Sequence, residues 1–153
     1  MNTTDVDVRP LVAADSEHWR RLWTGYLDYY ETTVPEAVYA SSFERMLAGN
    51  AGAAHEFRGL IARVGGEPAG LVHFLYHRHG WKIENVCYLQ DLYVVPDARG
   101  TGLGRRLIEA VYADADASGC PSVYWLTQDF NVAGRRLYDR VGTLTPFVKY
   151  ARD

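Results

Sequence analysis

Three closely spaced glycines mark the stretch of sequence that most clearly indicates chemistry. Gly100, Gly102 and Gly104 follow Arg99 in the order Arg-Gly-Thr-Gly-Leu-Gly, just after the apolar, β-branched run 89–95. Without β-carbons, successive backbone N–H groups of such a loop can converge on one anion, and the N-terminus of a following helix adds unpaired donors and the positive end of its dipole. The spacing predicts a phosphate-binding loop between a strand and a helix.

Two common phosphate-binding motifs do not match this loop. A Walker A loop ends in Gly-Lys-Ser/Thr, whereas Gly104 is followed by Arg105 and Arg106. The dinucleotide fingerprint needs G-x-G-x-x-G at the first strand of a βαβ unit, but these glycines are spaced G-x-G-x-G and lie late in the chain. The pattern therefore argues against a nucleoside triphosphatase and against a Rossmann protein.

The pattern R-x-x-G-x-G after a strand resembles the pyrophosphate loop of the GCN5-related N-acetyltransferases, Q/R-x-x-G-x-G/A. A later stretch is similar to that family's N-x-x-A-x-x-L-Y-x-x-x-G. It contains Asn131, the run Arg136-Leu137-Tyr138 and Gly142, with Ala133 one place earlier than is common. The resemblance covers nearly the whole chain.

The strand before the loop resembles one branch of that family in particular, the spermidine/spermine acetyltransferases and the fungal histone, polyamine and D-amino-acid acetyltransferases. That branch usually has L-E-D-[LI]-Y-V, and here Gln90 stands where its Glu would be. A carboxylate often credited with helping to deprotonate the amine is therefore absent.

The resemblance implies acetyl transfer from acetyl-CoA to an amine, by direct attack in a ternary complex and without a metal. The pyrophosphate would be held by the loop, and the thioester carbonyl by backbone donors of a splayed or bulged strand. The implied cofactor-binding residues are Leu92, Tyr93, Val94, Arg99, Gly100, Thr101, Gly102, Leu103, Gly104, Arg105, Asn131 and Arg136.

Proton transfer sets a further requirement. An alkyl amine is mostly protonated at neutral pH, and a leaving thiolate with a pKa of about 8.5 benefits from a proton donor. The resemblance implies Tyr138 as the general acid. Asp91 is the first candidate for the general base and Glu84 is the second. Side chains alternate along a strand, so Gln90 and Asp91 are predicted on opposite faces, and only one of them would meet the acceptor.

Apolar and aromatic residues recur at helical spacing from Trp19 to Tyr30, which predicts a helix. Asp15 precedes this segment and can cap the helix. The first half of this face is typical of a helix packed on a sheet. Tyr26 and Tyr30 near its end are predicted to line the acceptor pocket, together with Gln90 on the strand.

Periodicity and turn signals place the other elements. Strands are predicted over 5–12, 57–64, 69–76, 89–95, 122–128 and 147–150, and helices over 35–47 (with Val38 buried and Gly49-Asn50 as a stop), 104–115 and 131–142. The resulting α/β domain spans 1–153. The resemblance implies a mixed, mostly antiparallel sheet with helices on both faces and a splayed central strand pair.

Composition excludes several classes of partner. The net charge of −3 and the scattered basic residues argue against nucleic acid, and no apolar stretch reaches membrane-spanning length. Cys87 and Cys120 lack zinc-site spacing, and the histidines at 73, 77 and 79 do not converge by periodicity, so no metal site is expected. We expect a cytoplasmic protein.

Three functions remain open at this level. The first is N-acetylation of a small primary amine, polyamine or amino-acid-like acceptor, for which an aromatic, closed pocket is typical. The second is a non-catalytic acetyl-CoA-binding sensor or assembly protein, and the third is acetylation of a protein lysine or N-terminus. The resemblance also implies a homodimer.

Overall fold

The structure is a computed structural model that describes residues 5–153. Its elements follow the predicted order through most of the chain. The strands are β1 (Val6–Pro10), β2 (Arg58–Val64), β3 (Glu67–His77), β4 (Val86–Val94) and β5 (Val123–Tyr124), and the helices are α1 (Ser16–Tyr29), α2 (Glu36–Asn50), α3 (Leu103–Ala117) and α4 (Val132–Val141).

Within the described residues, the five strands form one sheet in the order β1-β2-β3-β4-β5. Neighbouring strands are antiparallel from β1 to β4, whereas β5 runs parallel to β4 and pairs with it at only two positions, Cys87 with Val123 and Tyr88 with Tyr124. Beyond Tyr88 the two strands separate. The mixed sheet and the splayed strand pair are confirmed.

Helices cover both faces of this sheet, as expected. On one face α1 and α2 pack over a core of Leu11, Trp19, Leu22, Met46, Ile61 and Leu71. On the other face α3 buries Leu103, Leu107, Ile108, Val111 and Ala115 against the larger core. This spacing is the one predicted for α3, because a helix presents every third or fourth residue to the sheet beneath it.

Helix α2 differs from its prediction in the burial of Val38 and in where the helix ends. Val38, expected to be buried, is 39% exposed. The helix also continues through Gly49 to Asn50, which were predicted to stop it. The reason is tertiary, because Asn50 accepts a hydrogen bond from the N–H of Gly59 and donates to the carbonyl oxygens of Leu11 and Gly59 at 3.0–3.1 Å.

Asp15 precedes α1 as predicted, but its side chain makes no capping hydrogen bond to that helix. Its carboxylate is instead buried, with 2% of the residue exposed, and accepts hydrogen bonds from Arg9, Arg63 and the N–H of Val12 at 2.8–3.0 Å. The carboxylate binds two guanidinium groups instead of the N-terminus of α1, because a buried charge requires an opposite charge and hydrogen bonds.

The predicted strand over 147–150 is wrong, since this segment is neither helix nor strand and pairs with nothing in the sheet. Phe147 and Tyr150 are 79% and 93% exposed. The predicted strand over 122–128 is also shorter than expected and spans Val123–Tyr124. Separately, none of the helices in residues 5–153 combines the length and apolar character needed to span a bilayer.

Candidate active site

The backbone of β4 is free on one side where β5 diverges. The N–H of Val95 donates to the carbonyl of Ala69 at 2.9 Å, so this end of the β3–β4 ladder is fixed. Because orientations alternate along an antiparallel pair, the N–H and C=O groups of Leu92 and Val94 then face the opening, and those of Tyr93 face β3. Leu92 and the N–H of Val94 thus present free backbone groups to the opening, the carbonyl of Val94 accepts from Arg99, and the backbone groups of Tyr93 face β3.

A β-bulge interrupts β4 at Gln90. Asp91 pairs with His73 and Leu89 pairs with Phe74, which leaves Gln90 without a partner on β3. A bulge inserts one extra residue and re-aims the side chains next to it. Regular alternation would place Leu89 and Asp91 on one face, but across the bulge Leu89 packs in the core beneath α3 and Asp91 contacts His73 on the opposite face.

A small cavity lies at the opening between β4 and β5. It brings together Tyr26, Tyr30, Gln90 and Tyr138, which the sequence had placed on three separate elements. The full lining is Tyr26, Tyr30, Leu89, Gln90, Leu92, Ile108, Trp125, Leu126, Thr127 and Tyr138. Helix α1, the bulged strand and α4 thus converge on one site.

Tyr138 keeps its proton in this cavity. Burial, followed by the neighbouring Tyr30 and Tyr29, raises the pKa of Tyr138 above its usual value. Its ring packs edge-on against Trp125, with 5.6 Å between centroids. A protonated hydroxyl held in this way is suited to donate a proton to a leaving group.

The glycine-rich loop adopts the backbone that the sequence predicts. Gly100 and Gly102 have φ of +77° and +85°, and α3 begins immediately afterwards with no acidic side chain in its first turn. Its first-turn N–H groups and the helix dipole therefore fit a phosphate. Gly104 instead leaves room for close packing between α3 and α4, because an ideal Cβ at this position would lie 3.2 Å from Cδ2 of Leu137 on α4.

The predicted cofactor-binding arginines have protein partners or are exposed. The Nε of Arg99 donates to the carbonyl of Val94 at 3.0 Å, and its guanidinium lies over the rings of Tyr29 and Tyr93. Arg105 pairs with Glu109 at 2.8 Å, and Arg136 is exposed. A ligand running along β4 would compete with the bond between Arg99 and Val94.

Two side chains of the loop regions organise their own backbone. Asn131 is the N-cap of α4, where its Oδ1 accepts from the N–H of Gly134 at 3.1 Å and its amide donates to Thr127 at 3.0 Å. The hydroxyl of Thr101 donates to the carbonyl of Ala98. Both residues hold the shape of segments that border the opening.

The two candidate bases have different surroundings. Asp91 lies beneath α1, where it makes a 3.0 Å hydrogen bond with Nδ1 of His73 and its side chain is 11% exposed. Burial, then the charge of Asp91 and a hydrogen bond with it, raises the pKa of Tyr26. Glu84 is solvent-exposed and lies 4.0 Å from Lys82. Neither carboxylate is part of the cavity lining, but Asp91 lies near Tyr26, which is.

Sequence reasoning missed His73 as a residue connected to the site. The sequence pattern disfavoured metal binding by His73, His77 and His79 and predicted a strand face running into an exposed turn, so a hydrogen-bonding role for His73 was not considered. Within residues 5–153, the structure has no group of three or more His, Cys, Asp or Glu side chains that could hold a metal ion. The available signal was its position in the buried run Leu71-Val72-His73-Phe74, because a buried polar side chain needs hydrogen-bond partners. Trp19 and Asp91 are those partners.

A second, more open groove lies between α1 and α2. Its lining residues include Arg20, Asp28, Glu36, Tyr39 and Tyr93. Tyr93 reaches this groove because its ring packs against Gly25 of α1, where an ideal Cβ would lie 2.4 Å from the Tyr93 hydroxyl oxygen. The groove therefore borders the same strand as the cavity, but on the α1 face of the sheet.

The chain is similar to known acetyltransferases over most of its length. A model of the acetyltransferase (GNAT) family matches residues 19–143. The chain is 36% identical to the D-amino-acid N-acetyltransferase HPA3 of Saccharomyces cerevisiae over 148 residues, covering 95% of this chain and 89% of that protein. It is 29% identical to a thialysine N-epsilon-acetyltransferase of Caenorhabditis elegans, covering 74% of this chain and 76% of that protein.

Among solved structures, that of AAC(6')-Iy in complex with the bisubstrate analog CoA-S-monomethyl-acetylneamine superposes with a TM-score of 0.83. The two chains are 22% identical, and the match covers 97% of this chain and 98% of that one. At this identity the likeness establishes the fold.

Proposed function

The chain belongs to the acetyltransferase (GNAT) family, and from that membership we propose that it transfers the acetyl group of acetyl-CoA to a primary amine of a small molecule. The acceptor is a polyamine or an amino-acid-like compound, attacked directly in a ternary complex. The observation that carries this proposal is the convergence of the protonated Tyr138, the bulge at Gln90 and the free backbone of Leu92 on one cavity.

The residues at the opening fit the donor. Acetyl-CoA supplies the acetyl group as a thioester. The backbone N–H groups between Gly100 and Gly104, at the start of α3, would hold its pyrophosphate. The N–H groups of Leu92 and Val94 are free to donate hydrogen bonds along β4, and such fixed donors stabilise negative charge that develops on a carbonyl oxygen.

Proton transfer is divided between two sides of the cavity. Acetylation of an ammonium group removes two protons from nitrogen, of which one ends on the thiol product and one in solvent. Tyr138 is the donor to sulfur, because its raised pKa keeps it protonated. Asp91 is the candidate that receives a proton on the amine side, and the exposed Glu84 is the alternative.

The small-amine acceptor is supported by the lining of the cavity and by the relatives. Tyr26, Tyr30 and Gln90 enclose the acceptor side with aromatic rings and one amide, a surface suited to a compact molecule. The relatives are named for acetylation of D-amino acids and of thialysine. Acetylation of a protein lysine or N-terminus would need a groove that admits a chain.

Thiol release from acetyl-CoA tests the proposal. The purified protein is offered polyamines, D- and L-amino acids, thialysine and a lysine-containing peptide, with acetyl-CoA binding measured in parallel by calorimetry. Turnover on a small amine that exceeds turnover on the peptide by at least tenfold is the expected result. Binding without turnover on any amine would favour a sensor, and a preference for the peptide would favour a protein acceptor.

We propose in addition that two copies pair through the C-terminal segment 143–153. Among the described residues it makes no backbone hydrogen bond, and it exposes Leu144, Phe147, Val148 and Tyr150 by 72–93%. Within the described residues, the outer edge of β5 is one of the two unpaired edges of the sheet, the other being that of β1. An extended apolar segment and an unpaired strand edge in one chain complement each other in a two-fold pair.

Sedimentation analysis tests the dimer. The wild-type protein is expected to sediment as a dimer, and Phe147→Asp to weaken association at least tenfold. Val38→Asp places the same charge on the exposed side of α2 and is expected to leave association unchanged. A monomeric wild-type protein would contradict the dimer without affecting the proposed reaction.

A cytoplasmic location is the remaining part of the proposal, supported by the free thiols of Cys87 and Cys120.

A further inference from the structure

His73 is a buried histidine with both ring nitrogens engaged. It lies in β3 and is 5% exposed. Nε2 lies 3.0 Å from the indole Nε1 of Trp19, and Nδ1 lies 3.0 Å from the carboxylate Oδ2 of Asp91. These contacts connect a residue of α1, a residue of β3 and the residue that follows the bulge of β4.

The partners determine the protonation state of the imidazole. An indole N–H can only donate, so Nε2 of His73 must be the acceptor and carries no proton. The single proton of the neutral ring is therefore on Nδ1, and it is donated to Asp91. The contact between His73 and Asp91 is a hydrogen bond from a neutral donor to a carboxylate, which is a charge-assisted bond.

The surroundings keep this arrangement rigid. Trp19 has no exposed surface and packs against Phe43 with ring centroids 5.2 Å apart. The ring of His73 is also within 5.0 Å of the Trp23 ring, centroid to centroid. A side chain held by packing and by hydrogen bonds at both ends loses no freedom when a ligand binds.

We propose that His73 is a positioning residue for the acetylation proposed above, on which this inference rests. By donating from Nδ1, with Nε2 blocked by Trp19, it fixes the Asp91 carboxylate near Tyr26, whose side chain lines the acceptor side of the cavity. Asp91 is thereby the anion that holds the charge of the acceptor's ammonium group and receives the proton that leaves nitrogen.

Tyr26 is the link between Asp91 and the cavity. Burial, and then the nearby Asp91 carboxylate, raises the pKa of Tyr26, so the hydroxyl stays protonated and is able to donate to that carboxylate. Tyr26 lines the cavity together with Gln90 and Tyr138. The lone pairs of its oxygen are then available to an ammonium group, and a proton leaving that group passes through the hydroxyl to Asp91 and finally to solvent.

Nitrogen NMR tests the protonation state without any turnover. The full-length wild-type protein is labelled with ¹⁵N-histidine, and the His73 signals are identified by their loss in His73→Asn among the five histidines of the chain. Protonated Nδ1 and unprotonated Nε2 are expected. A proton on Nε2, alone or in an imidazolium, would overturn the inference, whether or not the protein is an acetyltransferase.

Two substitutions of His73 separate positioning from packing. The amide of Asn can place a donor near the position of Nδ1, whereas Leu cannot donate. In His73→Leu, kcat is expected to fall about 100-fold, the scale of losing a fixed geometry, with KM for acetyl-CoA unchanged. His73→Asn is expected to recover at least tenfold of that loss, and His55→Asn, the same change in an exposed loop residue, to match the wild type.

Equal losses in His73→Asn and His73→Leu would overturn the positioning role. If His73→Leu does not fold, Trp19→Phe replaces it, since this variant keeps the ring packing but frees Nε2 and should give both tautomers in the NMR spectrum with a lower kcat. An unchanged tautomer and kcat in Trp19→Phe would also overturn the inference. A wild-type protein that acetylates no amine but shows the expected tautomer contradicts the proposed reaction and removes the role of His73 in it.

Discussion

Gly49 of helix α2 lies directly against the carbonyl oxygen of Phe57. An ideal Cβ at position 49 would be 1.8 Å from that oxygen, and Gly49 is buried. The glycine that ends a helix in a sequence-based prediction is therefore a contact residue within the last turn of α2, which continues to Asn50. It allows α2 to approach the start of β2.

Gly49→Ala is expected to destabilise the protein despite the helix preference of alanine. Alanine gains at most about 1 kcal/mol over glycine in a helix, but here its Cβ displaces backbone, and overpacking typically costs about 1–3 kcal/mol. We expect a net loss of up to about 2 kcal/mol in the free energy of unfolding, measured in urea. Gly49→Ser adds the same Cβ and should lose at least as much. A stabilised Gly49→Ala would show that α2 can move away from Phe57.

Tyr138→Phe is expected to lower kcat about 100-fold or more, the scale of losing a general acid. Acetyl-CoA affinity and the melting temperature should stay close to wild type, because the ring and its contact with Trp125 remain. Since the pKa of Tyr138 is raised, the wild-type enzyme should keep this donor up to pH of about 10. A fall in wild-type kcat near pH 8 that disappears in Tyr138→Phe would contradict this assignment.

The stability of the fold should depend on Asp15 at acid pH. Burial alone would raise the pKa of this carboxyl, but hydrogen bonds from Arg9, the N–H of Val12 and Arg63 outweigh it and lower the pKa to about 2. A lowered pKa means that the stabilisation is complete above the unfolded value of about 4 and is lost as pH falls toward 2.

We expect the free energy of unfolding to fall by about 2 kcal/mol over that pH range because of Asp15. Asp15→Asn should remove this part of the pH dependence and lower stability at pH 7 by about 3–5 kcal/mol, since it leaves two guanidinium groups without their buried partner. Urea titrations between pH 2 and pH 7 measure both effects. Parallel curves for the variant and the wild type would exclude Asp15 as their cause.

Gly102→Ala tests whether the loop needs glycine for its backbone or for space. No atom lies within 4 Å of an ideal Cβ at this position, but φ is +85°. The left-handed conformation costs a non-glycine residue about 1–2 kcal/mol, and we expect this loss in stability together with weaker acetyl-CoA binding. Gly80→Ala, at a glycine with equally open surroundings, is the control and should be neutral. Equal effects of both variants would exclude backbone strain.

The two cysteines should differ in reactivity. Cys87 has no exposed surface, and burial, with a smaller contribution from the charge of Asp114, raises the pKa of its thiol to about 12. Cys120 is partly exposed. Because the thiolate is the reactive form, iodoacetamide at pH 8 should modify Cys120 and leave Cys87 intact until the protein is denatured. Rapid modification of Cys87 in the native protein would show that β4 opens locally.

Local features of the site were predictable from the sequence alone. The turn at Gly100 and Gly102 and the buried stripe of α3 depend on backbone preferences and on the spacing of residues close together in the chain. The convergence of Tyr26, Tyr30 and Tyr138 was anticipated from family patterns, which summarise tertiary contacts that periodicity does not contain.

Only the tertiary structure decided the features that depend on register and on distant partners. The bulge at Gln90 is invisible in the sequence, because one unpaired residue is defined by what lies opposite it on β3. His73 and Asp91 are 18 residues apart and meet through that register. The segment 147–150 has the composition of a strand, but a strand forms only where a neighbour offers hydrogen bonds, and within the described chain it has none.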